Sequence, residues 1–72
     1  MKELENQIKN RLTERMKTDV NGLVAARNTS EYTQKAVMEI LTEIVGQDNV
    51  RAYGIHFRGE DFFLYGANSE DS

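Results

Sequence analysis

The chain has 72 residues, a length for one domain, and holds no cysteine and a single histidine. This excludes disulfides and argues against a structural zinc site, and it leaves oligomerisation as the usual aid to a domain that buries only a modest share of its surface. The net charge is −3, with 39 % apolar and 29 % charged residues, the balance of a globular chain and not of a strongly basic nucleic-acid binder.

From the N-terminus, Met1-Lys2-Glu3-Leu4-Glu5 alternates charge with apolar residues and has no signal-peptide core. No run of 18 apolar residues follows, so no membrane span is expected. The expectation is a cytoplasmic protein that begins at its own initiator methionine. Lys2 to about Arg27 is rich in Glu, Lys, Arg, Gln and Leu, which lose little side-chain freedom in a helix. Its apolar residues fall at Leu4, Ile8, Leu12, Met16 and Val20, one in every four. A helix turns every 3.6 residues, so this line drifts by roughly 40° per step. Either one long helix meets different neighbours at its two ends, or it breaks near Thr18-Asp19-Val20-Asn21-Gly22 with Asp19 capping a new start. The long helix is preferred, bent near Gly22 and ending around Ala26 or Arg27.

Asn28-Thr29-Ser30 is a turn and cap cluster, with Glu31 suited to a helix N-terminus. A second helix is predicted from about Ser30 to Val45. Ala36, Val37, Ile40, Leu41, Ile44 and Val45 give it a wide core-facing stripe, and Gly46 is a natural stop.

The segment Val50–Ala67 reads as a β-hairpin, with strands at about 50–57 and 62–66. Arg58-Gly59-Glu60-Asp61 supplies the turn, and Gly59 stands at the first central position of a type II′ loop, where glycine is required. This loop pairs Phe57 with Phe62, His56 with Phe63, Ile55 with Leu64, Gly54 with Tyr65 and Tyr53 with Gly66. Because side chains alternate, one face becomes Tyr53, Ile55, Phe57, Phe62 and Leu64. The other becomes Ala52, Gly54, His56, Phe63 and Tyr65, with each tyrosine opposite a glycine that its ring can cover. A polar, acidic tail over 68–72 is expected to be disordered, leaving 1–67 as a single domain.

The fold class is therefore α+β in the order α-α-β-β, two helices on a C-terminal antiparallel hairpin. The predicted core is Leu12, Met16, Val37, Ile40, Leu41, Ile44, Tyr53, Ile55, Phe57, Phe62 and Leu64.

Catalytic and cofactor motifs are absent from the sequence: no phosphate-binding glycine loop, no G-x-S-x-G, no H-E-x-x-H and no EF-hand loop. His56 is the sole histidine, and a small enzyme would have to combine it with Glu60 or Asp61. A surface role for His56 and a solvated turn with Asp61 pairing Arg58 are preferred, as is a solvated helix face for Glu39 and Glu43 over a metal pair. No enzyme activity, cofactor or metal is expected.

Charge is unevenly placed. Met1–Arg27 carries six basic residues against four acidic, and the remainder three against eight. Lys9, Arg11, Arg15 and Lys17 give the first helix a basic flavour and an alternative role in nucleic-acid binding, although Glu14 interrupts the group and the chain is acidic overall. Mutual attraction of the two halves is also open, with an ordinary solvated surface preferred. The leading expectation comes from the second hairpin face. An apolar face left uncovered marks an interface, and an open strand edge invites pairing with another copy. The sequence thus points to a small non-enzymatic interaction protein that binds a protein partner through Phe63 and Tyr65, with His56 and Arg58 at the margin. A homodimer is expected, with a four-stranded sheet formed across it as one route. By analogy of size and charge, such a chain suits a phage or bacterial modulator of a larger protein.

Overall fold

A computed structural model describes residues 2–66. Met1 and the expected tail at 68–72 lie outside the described residues, and so does Ala67. In chain order the elements are α1 (Lys2–Thr18), α2 (Val20–Ala25), α3 (Thr29–Val45), a 3₁₀ turn (Val50–Ala52), β1 (Tyr53–Arg58) and β2 (Asp61–Gly66). The helices pack against a C-terminal antiparallel two-stranded hairpin, the α+β arrangement expected from the sequence.

The first helical segment is not continuous. α1 ends at Thr18, and α2 restarts at Val20 with Asp19 as its N-cap. The Asp19 carboxylate accepts the Gly22 amide at 3.1 Å, and the Tyr32 hydroxyl of α3 donates to its other oxygen at 3.0 Å. The preferred long helix is thus corrected to a break three residues before Gly22. A capping carboxylate that takes the amide of a following turn defines a new start, and Tyr32 holds that carboxylate in place. Gly22 lies inside α2, where a Cβ would fall 2.3 Å from the capping carboxylate. The apolar line of α1 behaves as its drift requires: Ile8 and Leu12 are buried, Leu4 and Met16 are partly buried, and Val20 is exposed.

α3 begins one residue before the expected Ser30 and ends at Val45. The Asn28 side chain accepts the Glu31 amide at 2.8 Å, and the Glu31 carboxylate accepts the Arg27 amide at 3.0 Å. Gly46 closes the helix at φ +90°, a backbone that L side chains rarely adopt.

The hairpin register is the one the turn dictates, from Tyr53 opposite Gly66 to Arg58 opposite Asp61. Gly59 has φ +63° and no non-glycine residue among the described residues has positive φ, which fits type II′ and not I′. Val50-Arg51-Ala52, expected as the start of the strand, is a 3₁₀ turn. Gly46 O accepts from both Asn49 and Val50 N–H, so this stretch is wound tightly onto the end of α3 before it can extend.

The core is built from Ile8, Leu12, Tyr32, Ala36, Val37, Ile40, Leu41, Phe62 and Leu64. Ile8, Tyr32 and Ala36 were not among the expected core residues. Conversely, Met16, Ile44, Tyr53, Ile55 and Phe57 are only partly buried. Thr33 is also buried, and its hydroxyl has no partner among the described residues.

Candidate functional site

Alternation along the paired strands divides the hairpin into two faces. Phe62 and Leu64 point inward and are 1 % and 6 % exposed, whereas Phe63 and Tyr65 point outward and are 45 % and 58 % exposed. His56 and Arg58 share that outer face and are exposed as well. The His56 and Phe63 rings stack across the strands with centroids 6.4 Å apart and planes 26° apart. Next to them the Tyr65 ring lies over bare Gly54, where a Cβ would come within 2.3 Å of it. A cross-strand aromatic over glycine supplies the packing that the glycine lacks. The result is a strip of three rings, Tyr65, His56 and Phe63, with Arg58 at its end. Ala52, assigned to this face from the sequence, sits in the 3₁₀ turn instead. No described helix covers the strip.

The edges of the hairpin differ as much as its faces. In this register the N–H groups of Phe62 and Leu64 point away from β1. The Phe62 amide donates to the Asp61 carboxylate at 2.8 Å, and the Leu64 amide donates to the Glu5 carboxylate of α1 at 3.0 Å. Lys9 stands between these carboxylates, 3.7 Å from Glu5 and 3.8 Å from Asp61. Its ammonium also lies 5.6 Å from the centroid of the Phe62 ring, within cation–π range. Asp61 therefore turns to Lys9, which corrects the expected pairing with Arg58. The Ser30 hydroxyl donates to the Gly59 carbonyl and ties the hairpin tip to the start of α3. Nothing in the local sequence announces Glu5 or Ser30 as partners of the hairpin, because each acts across a long stretch of chain.

The basic residues of α1 are also engaged. Arg15 bonds Glu39 at 2.8 Å and approaches Glu43 at 3.6 Å, Arg11 lies 3.5 Å from Glu43, and Lys17 lies 3.6 Å from Glu14. The charge asymmetry of the two halves is thus expressed as a seam between α1 and α3. Such exposed pairs contribute little each, typically about 0.2–1 kcal/mol, but they compensate the cations locally. Glu39 and Glu43 face these arginines, and among the described residues no group of three or more His, Cys, Asp or Glu is placed to hold a metal.

A cleft of about 280 Å³ lies between α2 and α3, lined by Asp19, Gly22, Ala26, Tyr32, Lys35 and Glu39 among others. Its tyrosine is committed to Asp19. Burial, and then the hydrogen bond and negative charge of Asp19, raise the Tyr32 pKa above its ordinary 10.0. Val20 and Val24, one turn apart on α2, are 62 % and 79 % exposed; nothing in the local pattern announces this pair apart from Val20 ending the drifting apolar line. No described helix is long and apolar enough to cross a membrane.

Comparison with protein-family models, with curated proteins and with solved structures found no match for this chain.

Proposed function

We propose that this is a small, non-enzymatic interaction protein that acts through its hairpin as a homodimer in the cytoplasm. Its outer hairpin face meets a protein partner, with Phe63 and Tyr65 as apolar anchors and His56 and Arg58 completing the contact. The observation that carries this reading is the uncovered ring strip. In a chain short of apolar cover, aromatic side chains spent on the solvent face of a sheet fit an interface. A phage or bacterial modulator of a larger protein would combine this size with such a face.

Nucleic-acid binding through Lys9, Arg11, Arg15 and Lys17 gains no support, since each has a carboxylate within 4 Å and phosphate would have to displace it. The test is site-specific photocrosslinking in cell extract, with the probe at position 63 or, as a control, at exposed Gln34 on α3. A discrete protein adduct from position 63 that disappears with Tyr65→Ser is the expected result. Equal adducts from both positions, or none from 63, would remove the partner face.

A further inference from the structure

We propose that the second copy docks on the outer edge of β1, antiparallel to the β1 of its mate, with the twofold axis passing between the two His56 residues. This rests on the homodimer reading and adds the seam to it. Such pairing gives a four-stranded sheet in the order β2-β1-β1-β2.

The hairpin has a closed edge and an open one. On β2 the outward amides of Phe62 and Leu64 are taken by the Asp61 and Glu5 carboxylates. On β1 the outward amides are those of Tyr53, Ile55 and Phe57. Tyr53 N–H is bonded to Val50 O, and Ile55 and Phe57 have no outward partner among the described residues. The packing follows the same division. Phe62 and Leu64 are fully covered by the helices, whereas Tyr53, Ile55 and Phe57 are only partly buried. The strand Tyr53-Gly54-Ile55-His56-Phe57-Arg58 also carries few of the usual guards of a free edge: it has no proline, no lysine and no inward-pointing charge, and its one charged residue, Arg58, stands at its end on the outer face.

The free groups of this edge complement themselves. With His56 opposite His56, Ile55 of each chain faces Phe57 of the other. Both residues then exchange N–H and C=O, and the free donors of both copies are consumed. Centring the axis on Ile55 instead would set Phe57 opposite Tyr53, whose N–H is already spent. A foreign strand could meet the same edge, but nothing would fix its register, whereas a second copy brings the matching pattern by symmetry. On the inner face the half-buried Ile55 and Phe57 cover each other across the seam. On the outer face Arg58 lies opposite Gly54 of the second copy, next to the Tyr65 ring that covers it. The two ring strips join on one sheet face, so the dimer presents twice the surface proposed for the partner.

The chain lacks cysteine, so a single introduced thiol reports the axis. Residue 56 falls in a non-hydrogen-bonded pair at the seam, with Cα atoms about 4.5 Å apart, inside disulfide range. His56→Cys is expected to form a disulfide dimer under mild oxidation at least tenfold faster than Phe63→Cys, one strand away. In the wild-type chain, sedimentation equilibrium should show a reversible dimer. Amide exchange at Ile55 and Phe57 should slow at least tenfold from dilute to concentrated protein, with Leu64 unchanged. A wild-type monomer at millimolar concentration would overturn the dimer while leaving the crosslinking test of the partner face intact. Faster disulfide formation by Phe63→Cys, or protection of Leu64 in place of Ile55, would keep a dimer but overturn this seam.

Discussion

The two strands of the hairpin are equal in length and similar in apolar content, yet they are finished differently. β2 has its inward side chains buried and its outward amides capped by carboxylates. β1 has its inward side chains half covered and two of its amides open. The helices are wide enough to roof one strand fully and the second only in part. In a domain this small, cover is the scarce quantity, and where it runs out is as informative as where it is spent.

The sharpest way to break this comparison is to truncate one ring from each strand. Phe62→Ala should cost about 3–5 kcal/mol, in line with loss of a buried phenylalanine, and Phe57→Ala distinctly less, measured by urea denaturation at low protein concentration. Equal losses would mean that β1 is as deeply packed as β2. Next in size is Glu5→Ala, expected to cost about 1.5 kcal/mol for the lost charge-assisted bond to Leu64 N–H. It should also free the β2 edge, so that light scattering shows species larger than those of the wild type.

A change away from both strands serves as the control. Tyr32→Phe removes the bond to Asp19 and should cost about 1 kcal/mol near neutral pH. The folded pKa of Tyr32 lies above its unfolded value, so its contribution is complete below pH 10 and fades as pH rises through the folded pKa. The gap between wild type and Tyr32→Phe should close in urea titrations above pH 10, with the ring strip unaffected. The smallest effect is expected for Gly54→Ala. The methyl group displaces the exposed Tyr65 ring while relieving glycine's backbone entropy, so stability should change by no more than about 0.5 kcal/mol. The ring-current shift of residue 54 in the NMR spectrum should nonetheless vanish.

Much of this molecule was legible in its sequence where the determinants are local. Gly59 and the alternation of the rings set the hairpin register, and Asn28 and Gly46 set α3 to within a residue. The same alternation separated Phe63 and Tyr65 from the core. What escaped was decided at a distance. The break with Asp19 as cap was one of two readings open in the sequence, and the hydrogen bond from Tyr32 of another helix, which favours it, lies outside the local pattern. Asp61 chose Lys9 over its cross-strand neighbour because α1 brings that ammonium alongside. The 3₁₀ turn at Val50–Ala52 won over extension because Gly46 O, at the end of α3, gathers the chain there. Ile8 was hidden by the drift of its own pattern: the line of apolar residues was evident, but which of its members meets α3 depends on how the helices cross.

The bond between Glu5 and Leu64 also bears on the order of folding. It joins residues 59 apart, while the caps of α2 and α3 and the hairpin turn close over only a few residues. Distant closures carry the greater entropic cost and form late. The helical caps, the turn and the local Asp61 cap on Phe62 can therefore form while the Leu64 amide on the β2 edge is still bare, and for that interval each edge of the hairpin keeps an open donor. The carboxylate of Glu5 acts as a latch: until it closes, the Leu64 amide is open to another strand.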